Sequence, residues 1–226
     1  MCGRYTLRSR GSAKFYGVPV SQLPWIPRYN IAPSQDVPVI VEHGAERELA
    51  LFQWGLIPSW SKEPKGFINA RAETLQDKPS FSESFQRRRC LIPADGFYEW
   101  KRTGKSKQPY FFQMKDQSLF AFAGIWDKWQ RNGVSITSCA IITTTPNELL
   151  ATIHDRMPVI LTSDAQESWL QENAKPTELK ELLVPFPKSE MKSFPVSSRV
   201  NWPQVDEAQL VEPIDIKQEV TTGMLF

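Results

Sequence analysis

Six segments rich in β-branched and aromatic residues follow one another along the chain, and they restrict it to a β-rich fold. Turn residues (Gly, Asn, Asp or Lys-Ser) separate them. Because the connections are short and strands do not alternate regularly with helices, the pattern predicts an α+β fold with a mostly antiparallel, barrel-like sheet. The segments are VPVIV (37–41), ELALFQW (48–54), RCLIPADGFYEWK (89–101), PYFFQM (109–114), SLFAFAGIW (118–126) and SITSCAIITT (135–144).

Capping patterns predict short helices at the periphery of this sheet. A Ser or Thr three residues before Glu or Gln marks a helix start, because each side chain can satisfy a backbone N–H group of the first turn. The patterns are Ser80 with Glu83, Thr145 with Glu148, Ser163 with Gln166, and the apolar stripe of PTELKELL (176–183). Since no long linker divides the chain, we expect a single domain over 1–226, with 203–226 as a tail that is wrapped on the domain or partly disordered.

The apolar runs and the cysteines exclude several classes of protein. The longest apolar run, LFAFAGIW, is far shorter than the roughly 18 residues of a membrane helix. The N-terminus lacks the apolar core of a signal peptide, so we expect a cytoplasmic protein. Cys2, Cys90 and Cys139 are odd in number and lack metal-ligand spacing, which fits reduced thiols and predicts neither a zinc site nor another cofactor.

Charge is distributed unevenly along the chain. Residues 1–110 hold 17 Lys and Arg against 10 Asp and Glu, a net of +7, whereas residues 111–226 hold 10 against 15, a net of −5. The first half is therefore the half that would face an anion. A solvated basic face and a phosphate-contacting surface explain this distribution equally well at this stage.

Cys2 directly follows the initiator methionine, which is normally removed before small residues. Cys2 would then carry a free α-amine and a thiol on adjacent carbons. These groups titrate at about 7.7–8.0 and about 8.5, so both have a nucleophilic fraction near neutral pH. The alternative is that Cys2 belongs to a frayed terminus, since chain ends are often poorly ordered.

Two internal segments combine polar and apolar residues in a way that suggests a reactive site. GFINARAETL (66–75) has Asn69, Arg71 and Glu73 at alternate positions, which would point to one side of an extended segment. In ADGFYEWK (94–101), Glu99 stands between Tyr98 and Trp100, and apolar surroundings raise a carboxyl pKa towards neutrality. Ordinary structural roles remain open for both, an ion pair for Glu99 and a turn cap for Asn69.

His154 is predicted to lie in a loop beyond the end of a short helix, followed by Asp155 and Arg156. Such a group can act in acid–base chemistry or contact phosphate, although a structural hydrogen bond is equally compatible with it. His43 lies in a polar turn and is expected at the surface. The sequence has no Gly-rich phosphate loop, HExxH helix or GxSxG elbow, which removes several large enzyme classes.

Six motifs in a fixed order resemble the SRAP family of abasic-site processing proteins. They are MCGRY (1–5), RYNIAP (28–33), WGLIPSW (54–60), INARAET (68–74), RRCLIPADGFYEWK (88–101) and IHDRMPVIL (153–161). In that family the N-terminal cysteine attacks the ring-opened sugar of an abasic site in single-stranded DNA. The resemblance implies that the α-amine forms an imine with the C1′ aldehyde and that the thiol closes a thiazolidine ring, giving a reversible covalent DNA–protein link.

The resemblance also implies roles for individual residues. Asn69 would orient Cys2 and the sugar, Glu99 would transfer the protons of condensation and reversal, and His154 would act on the opened sugar. The implied DNA contacts are Arg4, Arg71, Arg156 and Thr143 at the backbone and Trp60 by stacking on a base. Some relatives have a second tryptophan after Trp60, but this chain has Ser61 and a slightly longer loop, which would weaken stacking.

Two other functions remain open from the sequence. A thiol peptidase, including one that removes its own Met1, could use Cys2, Glu99 and His154. A non-covalent single-strand binder would need the arginines and aromatic residues but not Cys2. The expected partners are single-stranded DNA and replication-fork proteins. The protein is expected to be a monomer and to associate with the nucleoid when bound to DNA.

Overall fold

The described part of the molecule contains two large β-sheets, a two-stranded sheet of β2 and β3, four short α-helices and several 3₁₀ turns. The computed structural model describes residues 2–9, 14–15, 18–19, 26–44, 46–104 and 106–216. The strands are β1 (Tyr5–Leu7), β2 (Lys14–Phe15), β3 (Val18–Pro19), β4 (Arg28–Ile31), β5 (Asp36–His43), β6 (Glu46–Trp54), β7 (Asn69–Arg71), β8 (Arg89–Ala94), β9 (Gly96–Thr103), β10 (Ser106–Met114), β11 (Phe120–Arg131), β12 (Val134–Thr144), β13 (Met157–Pro158), β14 (Ile160–Leu161) and β15 (Met191–Pro195). The helices are α1 (Ser82–Arg87), α2 (Glu148–Ala151), α3 (Ser163–Leu170) and α4 (Pro176–Glu181).

The larger sheet closes into a five-stranded barrel. Its strands follow the order β12, β6, β5, β8 and β11, and β11 pairs back onto β12. All of these pairings are antiparallel except that between β6 and β12. The sequence-based prediction of an α+β domain with a mostly antiparallel, barrel-like sheet is therefore confirmed.

The second sheet is antiparallel and lies against the barrel. Its strand order is β15, β10, β9, β1 and β4, so the N-terminal strand β1 lies between β4 and β9. Residues of both sheets share one hydrophobic cluster that includes Tyr5, Phe97, Trp54 and Phe122. This arrangement holds the start of the chain by strand pairing on both sides.

Side chains on the barrel strands point alternately to the two faces of the sheet, and each face contributes to a different hydrophobic core. In β8, Cys90 and Ile92 point into the cluster shared with the second sheet, whereas Leu91 points outward beneath the helices. In β12, Ile141 and Ile142 divide in the same way. Because successive side chains of a strand face opposite sides, strands with both faces buried read as continuous apolar runs.

The segment 89–101, predicted as one strand, consists of two, and that prediction was wrong. The break is at Asp95, whose carboxylate accepts hydrogen bonds from Thr6 Oγ1 and from the Arg8 backbone N–H, each at 2.5 Å. The backbone N–H of Asp95 donates to Thr6 O at 3.0 Å. Asp95 thus joins β1 to the point where the chain passes from the barrel into the second sheet.

The predicted capping residues were also wrong, although a short helix follows each of them. Helix α1 begins after Phe81 and has no side-chain cap, whereas Asn147 caps α2 and Thr162 caps α3. The Asn147 side chain accepts from Leu150 N at 3.0 Å. Tertiary packing shifted each helix start by one to two residues from the position that the local pattern favours.

Residues 203–216 pack on the domain. Asp206 accepts hydrogen bonds from the backbone N–H groups of Tyr29 and Asn30, and Leu210 is buried. The rest of the predicted tail, 217–226, lies outside the described residues. Among the described residues, no helix is both long enough and apolar enough to cross a membrane.

Candidate active site

Strand pairing brings the start of the chain to Glu99. Tyr5 pairs with Phe97 in the antiparallel register of β1 and β9, and the Tyr98 N–H donates to Arg4 O at 3.0 Å. Continuing this register by two residues brings Gly3 opposite Glu99. Cys2 therefore lies close to the Glu99 carboxyl, and it is fully buried rather than frayed.

Asn69 holds Cys2 from the opposite side. Strand β7 pairs in parallel with β12, with Asn69 opposite Ile141 and Arg71 opposite Thr143. From this position the Asn69 Nδ2 donates to the backbone carbonyl of Cys2 at 2.9 Å. The Asn69 Oδ1 is buried and has no hydrogen-bond partner among the described residues, so it remains available to a ligand.

A close glycine contact sets the path of the chain into β7. A Cβ on Gly66 would lie 2.2 Å from the carbonyl oxygen of Gly55, which excludes every other residue type at position 66. Leu56 and Phe67 then exchange two backbone hydrogen bonds, of 3.0 and 2.9 Å. The loop that carries Trp60 must therefore return to the barrel just before Asn69.

Burial changes the acid–base properties of the two reactive groups. Glu99 is 1% exposed, and burial raises the pKa of its carboxyl from 4.5 to about 7. The group can therefore both donate and accept a proton near neutral pH. Burial, and then the nearby Glu99 charge, raise the pKa of the Cys2 thiol, so Cys2 is a thiol rather than a thiolate in this state.

The sequence-based reason for the Glu99 pKa was wrong, although its direction was right. Tyr98 and Trp100 flank Glu99 in sequence, but they point to the other face of β9, where Tyr98 packs with Phe111. The face of Glu99 is the one that carries Phe97 into the core shared by the two sheets. Neighbours in a strand point to opposite faces, so the raised pKa comes from tertiary burial.

Arg156 and Glu73 form a clamp across two elements. The guanidinium donates from Nη1 and Nη2 to the two Glu73 carboxylate oxygens at 2.7 and 2.9 Å, and Nη2 also donates to Thr143 O at 2.6 Å. The hydrogen bonds from Arg156 lower the pKa of the Glu73 carboxyl. Asn69, Arg71 and Glu73 were predicted to point to one side of an extended segment. This holds for Asn69 and Arg71, which lie in β7, but not for Glu73, because Ala72–Thr74 is a 3₁₀ turn.

His154 lies in the loop after α2, as predicted, and its imidazole is partly exposed. Its Nδ1 accepts from the Arg156 backbone N–H at 3.0 Å and lies 2.9 Å from Asp155 Oδ1. The first contact requires an unprotonated Nδ1, whereas an ion pair with Asp155 would require a protonated Nδ1. Burial lowers the pKa of His154, which favours the neutral ring with its proton on Nε2.

The remaining predicted DNA contacts occupy different environments. Arg4 donates from Nη1 to Gly3 O at 2.8 Å, and burial lowers its pKa. Arg71 is exposed beside Glu73. Trp60 is 63% exposed, and its Nε1 donates to Pro79 O at 3.4 Å.

Two residues that sequence reasoning did not assign also belong to this region. Tyr5 is fully buried, its hydroxyl has no hydrogen-bond partner among the described residues, and burial followed by the thiols of Cys139 and Cys2 raises its pKa. Phe67 is 45% exposed and packs against Phe81, with ring centroids 5.4 Å apart. Phe67 was detectable as an apolar residue directly before INAR, but the burial of Tyr5 required the fold.

Several buried polar atoms around Cys2 are unsatisfied within the described part of the chain. They are Arg4 Nε, Tyr5 Oη, Asn69 Oδ1 and Arg156 Nε. Buried polar groups in folded proteins nearly always have partners, so such a concentration indicates a place for a ligand or ordered water. The structure thus brings Cys2, Asn69 and Glu99 together and sets His154, Arg156 and Thr143 beside each other.

Comparisons with known proteins give the following results. The family model described as "SOS response associated peptidase (SRAP)" matches residues 1–203. The abasic site processing protein YoqW of Bacillus subtilis (strain 168) is 46% identical over 222 residues, covering 94% of this chain and 99% of that protein. The abasic site processing protein YedK of Escherichia coli (strain K12) is 31% identical over 191 residues, covering 84% and 86%. A crystal structure of a protein from Bacteroides thetaiotaomicron has a TM-score of 0.77 at 32% identity, covering 83% of this chain and 86% of that chain.

Proposed function

The chain belongs to the SRAP family, and on that basis we propose that it is a DNA-repair protein that captures abasic sites in single-stranded DNA through Cys2. The names of its relatives YoqW and YedK support abasic sites as the lesion. The observation that carries the chemical proposal is the buried Glu99, whose pKa is about 7, beside Cys2.

The reaction joins one aldehyde to one aminothiol with loss of one water. After removal of Met1, the α-amine of Cys2 adds to C1′ of the ring-opened deoxyribose to form a carbinolamine. Loss of water then gives an iminium ion, and the Cys2 sulfur adds to its carbon while the thiol proton is transferred to a nearby base. The product is a five-membered thiazolidine, and only an N-terminal cysteine supplies both nucleophiles at this spacing.

Glu99 is suited to move the protons of this sequence. A protonated carboxyl can donate to the departing hydroxyl of the carbinolamine, and the resulting carboxylate can accept the thiol proton. By microscopic reversibility the same group serves hydrolysis, which makes the link reversible. The hydrogen bond from Asn69 to the Cys2 carbonyl fixes the direction in which the amine and thiol face the sugar.

Charges and aromatic surface near the site suit a single strand of DNA. Arg4, Arg71, Arg156 and Thr143 would contact phosphates, which gives affinity without reading sequence. Trp60 is exposed enough to stack on a base. We therefore propose single-stranded DNA as the substrate, a cytoplasmic protein that is nucleoid-associated when bound to DNA, and a monomer as the active unit. Replication-fork proteins remain proposed partners.

The family description as a peptidase favours a second activity, the removal of Met1 by Cys2 and Glu99. That activity would generate the free amine that capture needs, so the two proposals are compatible. A general thiol peptidase fits less well, because burial raises the pKa of the Cys2 thiol and such an enzyme needs the thiolate as its nucleophile. A purely non-covalent DNA binder would give no role to the Cys2–Asn69 contact.

Mass spectrometry of the purified protein tests the proposal. The protein is mixed with a uracil-containing oligonucleotide that uracil glycosylase has treated, and the adduct mass is read together with that of the free protein. We expect a protein without Met1 and an adduct equal to the two components minus one water. Borohydride should not be required to preserve it, because a thiazolidine, unlike an imine, is already stable. Absence of an adduct with a verified abasic strand would overturn the proposal.

A further inference from the structure

Among the described residues, strands β9 and β10 carry three exposed cations that make no ion pair within the fold. They are Lys101, Arg102 and Lys107, which we call the hairpin cations. None of them forms an ion pair within the described part of the chain. Arg102 is directly opposite Lys107 in the strand register, and like charges at facing positions are unfavourable. The hairpin cations therefore lack a counter-charge in the described part of the chain, and a bound anion would supply one.

The hairpin cations lie next to the candidate active site. Lys101 follows Glu99 by two residues, so both side chains leave the same face of β9. Lys101 and Arg102 line a cleft of about 420 Å³, together with Trp100 and the loop 152–155, which contains His154. Arg102 and His154 line the same cleft; burial lowers the pKa of His154, and the charge of Arg102 adds to that effect.

The cleft joins the β9 end of the hairpin to the loop 152–155, which directly precedes Arg156. Asn69 holds Cys2 from β7, which pairs with β12 of the barrel. On its other side, the chain from Cys2 leads into β1, which pairs with β9 of the second sheet. Arg71 and Arg156 are joined to the β7 and β12 side, whereas the hairpin cations extend β9 beyond Glu99. The hairpin cations therefore form a cationic surface on β9 and β10, separate from the arginines of the β7 and β12 side.

We propose that the hairpin cations and this cleft bind the phosphates of the DNA strand on one flank of the lesion, as the strand leaves the centre past His154. The inference rests on the proposed function and extends it by a second phosphate-binding surface. The Asp155 carboxylate also lines the cleft, 2.9 Å from His154 Nδ1, and it would repel phosphates, so we expect the phosphates to follow the hairpin cations. Trp100 forms a wall of the cleft and is fixed by a hydrogen bond from its Nε1 to Asn201 Oδ1 at 2.8 Å.

The test uses a fluorescent single strand that contains a tetrahydrofuran abasic analogue, which has no aldehyde and reports binding without chemistry. The double variant Lys101→Gln/Arg102→Gln is compared with Lys115→Gln/Lys180→Gln, which removes the same charge at exposed positions at the far end of β10 and on α4. Anisotropy titrations over a range of salt concentrations give the affinity and its salt dependence. Thermal unfolding establishes that both variants are folded.

We expect the hairpin variant to bind on the order of tenfold more weakly at ~0.1 M salt, with a slope of log K against log salt shallower by about 1.4, or about 0.7 for each lost phosphate contact. The control variant should match the wild type. Two further probes, truncated on the 5′ or the 3′ side of the lesion, should locate the contact. The probe that lacks the contacted flank should bind the wild type and the hairpin variant equally, whereas the other probe should still distinguish them.

An unchanged slope, or an equal loss with both truncated probes, would overturn the inference. Crosslinking to a natural abasic strand, measured at saturating DNA, separates this result from the proposed function. If the wild type forms no adduct, the proposed chemistry is wrong, but the anisotropy titrations still show whether the hairpin cations bind DNA. If adduct formation is normal and the hairpin variant binds like the wild type, only the second surface is excluded.

Discussion

The Asn69 side chain donates a hydrogen bond to the backbone carbonyl of Cys2 across a distance of 2.9 Å. The two residues are 67 positions apart in sequence, and they meet because β7 pairs with β12 while β1 pairs with β9. This contact gives the start of the chain a fixed orientation beside a buried carboxyl.

Asn69→Ala should slow adduct formation about tenfold, because the hydrogen bond that orients Cys2 is worth roughly 1–1.5 kcal/mol. Binding to a tetrahydrofuran strand should change much less, since phosphate contacts remain. Single-turnover crosslinking at saturating DNA measures the first quantity and anisotropy the second. An equal loss in both would mean that Asn69 acts on DNA affinity rather than on the reacting groups.

Cys2→Ser should retain the free α-amine but lose the stable adduct. Serine can form the imine, whereas its hydroxyl is a weaker nucleophile for ring closure. We expect a species that denaturing gels show only after borohydride reduction. Cys2→Ala should behave in the same way, and both variants should bind a tetrahydrofuran strand like the wild type. A heat-stable, unreduced adduct with either variant would contradict the thiazolidine mechanism.

Glu99→Gln should slow both formation and reversal of the adduct, by about a hundredfold to ten-thousandfold, as expected for a lost general acid–base group. Glutamine keeps the shape and removes the titrating proton. The wild-type rates should change with an apparent pKa of about 7, and the variant should lose this inflection. Transfer of a preformed adduct to a competing abasic strand measures reversal. An unchanged reversal rate would assign that step to His154.

Glu99→Gln should also increase the free energy of unfolding at high pH. The pKa of Glu99 in the folded protein, about 7, exceeds its usual 4.5, so the native state holds a proton that the unfolded chain has released between these values. Wild-type stability therefore falls as pH rises through that window. At pH ~8 Glu99→Gln should be more stable by on the order of 3 kcal/mol, and near pH ~4 the difference should vanish. Urea unfolding at the two pH values measures it, and the opposite trend would mean that a charge partner stabilises the ionised carboxyl.

Tyr5→Phe should increase the free energy of unfolding by about 1 kcal/mol, because it removes a buried hydroxyl that has no hydrogen-bond partner within the described residues. Tyr98→Phe is the matched control. The Tyr98 hydroxyl donates to Tyr29 O at 2.7 Å, so its removal should cost about 1 kcal/mol instead. A comparable loss in both variants would indicate that a buried water satisfies Tyr5.

Local patterns were sufficient to predict most of the long strands and the family. β-Branched and aromatic runs indicated the long strands because side-chain shape and alternation are local properties. The motifs around Cys2, Asn69, Glu99 and His154 indicated the SRAP family, and the comparisons confirm that membership. Their individual roles stay predictions. Helix starts were less predictable, since capping preferences are worth only about 1 kcal/mol and packing can override them.

The sequence by itself determined which chemical groups are present: an aminothiol after Met1 removal, one central glutamate, a loop histidine and a basic first half. Only the tertiary structure decided which of them meet and with what pKa. The strand break at Asp95 sends β8 into the barrel and β9 into the second sheet, and β9 then pairs with β1. Glu99 is buried by that pairing and not by its sequence neighbours. Burial depends on contacts between distant segments, so no local pattern could have specified it.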